Sequence, residues 1–291
     1  MFIIFFQIFM KLLKTAVTII FVGFLLPYPF NSFSQAITLN DTIEQLELES
    51  NSLIFKTKKD NFLPFGQNDI EWRTPENGFK FGVSNNIFWV KIEFNNPTNN
   101  PISYSIYAPY HHIRSFKIYQ NIGSEVNLIS HQGTTQSYSE KEIQTPGYVS
   151  KIQFPPGKSN LYLRFKHMNI PLRASVYLVS QKKLDIILNK TNSMFRIWKI
   201  ILCLAICIAF VIFFFTRHKV FLFYGILNIG ITVFIGIEIG AFFHFFDKDS
   251  HHVLININNL GNIITILTLP YFLNELTPIK SLRPKLWRLM L

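Results

Sequence analysis

The chain has 291 residues, of which 49% are apolar, 16% aromatic and only 15% charged, and its formal net charge is +11. A soluble domain carries about 25% charged residues, so a single water-soluble globule is excluded, and the high apolar content excludes a disordered chain. Residues 37–195 hold 17 Lys and Arg against 13 Asp and Glu, a net of +4, whereas the other +7 flanks long apolar runs; charge placed that way reads as membrane topology, with no nucleic-acid partner.

At the N-terminus, Lys11 and Lys14 precede the apolar run Thr15 to Leu26, and the small residues Ser34-Gln35-Ala36 follow. A basic segment, a short apolar core and an A-x-A-like site make a secretory signal. Residues 1–36 are therefore expected to be a signal peptide, cleaved after Ala36, with Met10 as an alternative start to Met1. An uncleaved anchor is the other reading, but the apolar core is short of the about 20 residues a span needs.

Residues 37–190 change to a period of two. Phe88, Val90, Ile92 and Phe94 take one face of a strand, and Lys91 and Glu93 take the other. The run Asn95-Asn-Pro-Thr-Asn-Asn-Pro101 is a turn. Ile102, Tyr104, Ile106 and Ala108 then point inward from a second strand. Further strands are expected at 113–120, 125–130, 148–154, around Leu161, Leu163 and Phe165, and at 173–179. Short strands at this spacing, with no helical period between them, predict an all-β sandwich or jelly roll. The segment has no cysteine, so neither a disulfide nor a thiolate metal site is available to it.

At these residues the sequence resembles a bacterial sensor family. The resemblance rests on Phe81-Gly82, on Phe88-Trp89-Val90-Lys91-Ile92-Glu93-Phe94-Asn95-Asn96, on Leu161-Tyr162-Leu163-Arg164-Phe165 and on Pro171-Leu172. The family is the seven-transmembrane receptors with diverse intracellular signalling modules (7TMR-DISM), in its type-2 extracellular domain. The resemblance implies a jelly-roll head similar to carbohydrate-binding modules, then seven helices and a cytoplasmic output module. Lys91 departs from the usual Arg, which keeps the charge and loses the planar fork.

The C-terminal third holds three apolar runs, expected as membrane helices at 197–216, 220–246 and 253–276. With the head outside, the loop Thr216-Arg217-His218-Lys219 falls in the cytoplasm. The loop Asp247 to His252 falls outside, and the basic tail 277–291 falls inside. This agrees with the positive-inside rule. Lys182, Lys183, Lys190, Arg196 and Lys199 argue the other way, but an exported head fixes the first helix. The expected location is the inner membrane, multi-pass. On the resemblance, four further helices and an output module would follow Leu291; a three-helix protein is the alternative.

Two groups of residues stand out. Glu238 lies within an apolar run, eight residues from its outer end, at a depth shared by Asn258, Asn259 and Asn262 of the next run. A carboxylate in a span seeks partners, and the spacing predicts a hydrogen bond from Asn262 to Glu238, assisted by Asn258 or Asn259. The ordinary role is glue between helices; the sharper one is a polar switch. In the head, Trp89, Tyr107, Tyr110 and Tyr177 are candidate ligand-binding residues, forming an aromatic platform that suits a sugar ring.

Other constellations are weaker. Asp69 and Glu71 lack a third landmark for hydrolysis. His111 and His112 are adjacent, and a strand would send them to opposite faces. Cys203 and Cys207 share a helix face suited to close packing, and Pro270 predicts a kink. No enzyme, metal or cofactor is expected. The expected function is the sensory part of a bacterial membrane receptor, binding a small-molecule or carbohydrate ligand outside, and homodimerisation is compatible with it. The alternative is a membrane-anchored carbohydrate-binding or envelope module without signalling; a membrane-bound hydrolase is a third.

Overall fold

The computed structural model describes residues 36–67, 69–76, 78–123, 125–137, 140–167, 171–242, 251–277 and 279–290. The export signal therefore lies outside the described residues, as do the end of the second expected span, 243–246, and most of the outer loop that follows it.

Among the described residues, twelve strands precede the helices. They are β1 Ile37–Thr38, β2 Gln45–Glu47, β3 Ser52–Thr57, β4 Lys80–Val83, β5 Ile87–Asn96, β6 Ile102–Ala108, β7 Ser115–Ile122, β8 Glu125–Gln132, β9 Tyr148–Phe154, β10 Gly157–Lys166, β11 Pro171–Arg173 and β12 Tyr177–Val179. One sheet runs β1-β5-β10-β7-β8, with β3 also paired to β5; the other runs β2-β12-β6-β9, and β11 and β4 form a small third pair. The chain changes sheet at β5 to β6, β6 to β7, β8 to β9 and β9 to β10, which makes a β-sandwich.

The period of two decides what faces what. Phe88, Val90, Ile92 and Phe94 of β5 enter the core with Ile102, Tyr104, Ile106 and Ala108 of β6. Phe94 meets Phe154 at 4.6 Å between ring centroids and so joins the two sheets. The opposite face of β5 carries Ile87 and Trp89 under a separate cover of Phe55, Phe65, Trp72 and Tyr119. The loop bringing that cover is tied down by Asp60, which pairs with the buried Arg164 and, at 2.7 Å, with Lys166. The Lys166 hydrogen bond, with both cations nearby, holds the Asp60 carboxyl below its ordinary value.

The expected strand at 173–179 divides. Pro171–Arg173 pairs with β4, while Tyr177–Val179 passes to the other sheet beside β6 and β2. Directly after it comes α1, Gln181–Thr216, a helix of 36 residues capped by the Ser180 side chain. Residues 181–190, expected in the head, are thus helical, and the expected first span is the second half of a longer helix. The first turns of α1 lie on the outer face of the second sheet, where Leu184 is fully buried with Tyr107, Val149 and Val179.

A short turn at Arg217, in the left-handed region that few non-glycine residues adopt, leads into α2, Lys219–Glu238. Next come α3, His251–Leu276, which contains Pro270, and the short helices α4, Ile279–Leu282, and α5, Pro284–Met290. By length and composition α1 and α2 can each cross a bilayer. α2 and α3 approach closely because Gly230 has no side chain: a Cβ there would lie 2.9 Å from the Gly261 carbonyl oxygen. Small residues permit this contact between apolar helices. Cys203 and Cys207, expected at a helix contact, are exposed; α1 meets α2 instead through Phe210 against Gly225.

Candidate functional site

α2 stops at Glu238. Gly240 follows at φ +72°, a conformation glycine adopts without a side-chain clash, and the Ala241 N–H turns back to the Gly236 carbonyl. Glu238 was expected two turns inside an unbroken helix; it stands at the end of one, facing the head. The Asn258 side-chain amide of α3 donates to its carboxylate at 2.8 Å. The other carboxylate oxygen lies 3.6 Å from His112 Nε2. The partner is therefore Asn258 and not Asn262; Asn259 and Asn262 are exposed, and neither bonds Glu238.

His112 belongs to the connection between β6 and β7. Because that stretch is not a strand, the two adjacent imidazoles do not diverge: the His111 and His112 rings are 4.2 Å apart. His111 is buried, and the nearby backbone groups of Ile237 and Glu238 favour a proton on its ring, against the larger effect of burial. A Cβ on Gly240 would come within 3.0 Å of both His111 Cγ and Pro146 Cβ. The connection is held from beneath by Tyr148, whose hydroxyl donates to the His111 carbonyl at 2.7 Å. Burial raises the Tyr148 pKa well above the ordinary tyrosine range. Lys141 packs beside it, its ammonium donating to the Thr145 and Gly147 carbonyls, and burial pushes its pKa down to about 8. From α1, Lys199 Nζ donates to the Ala241 carbonyl at 3.2 Å. Three helices and the head therefore converge on one polar junction.

The aromatic candidates part company here. Tyr110 lies at the junction, 5.7 Å from His112 between ring centroids, and its hydroxyl donates to the Pro171 carbonyl. Burial raises its pKa, and Glu238 adds to the effect. Tyr107 and Tyr177 are cross-strand partners, but α1 covers their face. Trp89 is fully buried on the far side of the other sheet, beneath Phe65 and Tyr119. The four residues do not form one platform, because outward positions on both sheets are roofed, one by a loop and the other by a helix.

A cleft of about 450 Å³ opens elsewhere on the head, between β3, β4 and residues 71–76. Phe81 stacks on Phe88 at 4.2 Å to form an apolar floor. Lys56, Lys80, Glu76 and the exposed pair Arg73–Glu71 stand around the rim. Sequence reading missed this cleft because its residues come from three separated segments with no shared spacing. Glu71, set aside with Asp69 for want of a third landmark, is at its edge.

A strand-built head followed by long apolar helices defines a membrane protein with an extracytoplasmic N-terminal domain. Residues 40–180 match the family model for 7TMR-DISM extracellular 2, and so the head is similar to that family, as its Phe-Trp-Val and Leu-Tyr-Leu-Arg-Phe strands implied. A search of curated proteins gave no match.

Proposed function

We propose that this chain is the sensory part of a bacterial receptor in the inner membrane, crossing it several times with the head outside. A carbohydrate or other small molecule binds the head in the cleft between β3 and β4. Its aromatic floor offers an apolar surface to a sugar ring, and the charged rim offers hydrogen bonds to hydroxyl groups. Binding shifts the head between two dockings on the helices, and it does so only as far as its affinity for the two states differs. An output module completes the signal.

The observation that carries this reading is the contact chain His112–Glu238–Asn258, which links the head, α2 and α3 through single side chains. An anchored envelope module would need no such link. The test uses the full chain in lipid nanodiscs on a glycan array, followed by hydrogen exchange of residues 109–114 and 236–242 with and without the bound glycan. Binding that is lost in Phe81→Ala and that alters exchange at both segments is the expected result. Binding with unchanged exchange supports the anchored module. Absence of any glycan or small-molecule binding overturns the sensory reading.

A further inference from the structure

The two imidazoles at the junction are packed for their neutral forms. With ring centroids 4.2 Å apart, two protonated rings would repel each other. His111 is also too deeply buried to keep the water that a cation needs. We propose that the His111–His112 pair is a proton-operated latch: neutral, it holds the head against the end of α2, and protonation from the extracytoplasmic side releases that contact.

The surrounding groups set the strength of the effect. On the same connection, the Tyr110 ring adjoins both imidazoles. Residues 140–147 bring Lys141, whose charge opposes a proton on His111. β9 brings the Tyr148 hydroxyl to the His111 carbonyl. His167, after β10, lies 6.5 Å from Tyr110. α2 brings Glu238, the neighbour that favours a proton on His112, while α3 contributes the uncharged Asn258 amide. α1 brings Lys199 to the Ala241 carbonyl rather than to either ring.

Burial takes the His111 pKa from its ordinary 6.5 to about 3, with His112 and Lys141 adding to it. Burial also lowers that of His112, in spite of Glu238. A released ring returns to its ordinary value. The docked form is therefore at full strength above 6.5 and weakens as pH falls toward 3. Within that window each proton taken up on release weakens docking by up to about tenfold per pH unit. The latch stands whether or not a ligand occupies the cleft.

The test uses the full chain in nanodiscs, with Cys203→Ser and Cys207→Ser, and spin labels at Glu125→Cys in the head and Lys219→Cys at the far end of α2. Pulsed dipolar spectroscopy reads the docked fraction against pH. The expected result is a constant docked fraction above 6.5 that falls below it, with a shallower fall in His111→Gln and in His112→Gln. A docked fraction independent of pH overturns the proposal, as does an unchanged profile in both variants. Should both variants stay undocked at every pH, the wild-type profile decides: a fall beginning near 6.5 supports the latch and a flat profile overturns it.

Discussion

At the scale of the residue, Gly240 is the position where a single methyl group has the largest predictable effect. Its φ of +72° disfavours every side chain, and an added Cβ would meet His111 and Pro146 at 3.0 Å. Backbone strain alone costs about 1–2 kcal/mol, and neither a buried ring nor a proline ring yields easily. Gly240→Ala is expected to lower the thermal unfolding midpoint of the full chain in nanodiscs and to speed hydrogen exchange in residues 109–114. An unchanged exchange rate there would mean that the head does not rest on this turn. The residue scale is also where the sequence was least legible. Glu238 was identified from its cost in an apolar run, and Asn258 among its partners, because both facts follow from composition and spacing. His112 could not be joined to them, since the contact depends on how a connection between strands is folded. Nor did the sequence separate Trp89 from Tyr107 and Tyr177: alternation assigns each to an outward face, but not what lies over that face.

At the scale of the element, the strands were the legible part. β9 was expected at 148–154 and occupies those residues, and β5 and β6 present the expected inward sets. One-sided burial imposes strict alternation, so the pattern is written in the residues themselves. The start of α1 was not read, although Ser180 is a capping residue and Leu184, Ile187 and Leu188 have helical spacing; three lysines and an aspartate across residues 181–190 hid that stripe. Its importance can be measured. Leu184→Ala removes a fully buried side chain between α1 and the outer sheet face, and a loss of about 2–5 kcal/mol is expected. Ile186, exposed on the same turn of helix, serves as the control, with an effect within about 0.5 kcal/mol for Ile186→Ala. Chemical denaturation of the full chain compares the two, and equal losses would show that α1 does not seat through Leu184.

At the scale of the whole molecule, the folded arrangement locates the charges that run against the rest of the pattern. Lys199 reaches the Ala241 carbonyl just beyond the end of α2. Lys182, Lys183, Lys190 and Arg196 therefore sit on the part of α1 that lies on the head side of that level. They are carried on a helix that continues from the head, so the expected sidedness rests on export of the head and not on their count. In a chain lacking Cys203 and Cys207, a membrane-impermeant maleimide should label Lys151→Cys on the head of intact spheroplasts. It should label Lys219→Cys only after the membrane is opened. Labelling of both in intact spheroplasts would place the turn between α1 and α2 on the same side as the head and refute the topology.

The 36 residues of α1 carry a last implication. At about 1.5 Å per residue they make a rod about 54 Å long, and among them there is neither glycine nor proline to act as a joint. One end is clamped to a sheet and the other emerges past the apolar run. A rigid bar held at one end turns a small angle into a long stroke: a tilt of roughly 5° at the sheet sweeps the far tip through roughly 5 Å, close to one helical turn. With such an arm attached, a motion too slight to disturb the packing of the head would still be a large displacement at the far end of α1.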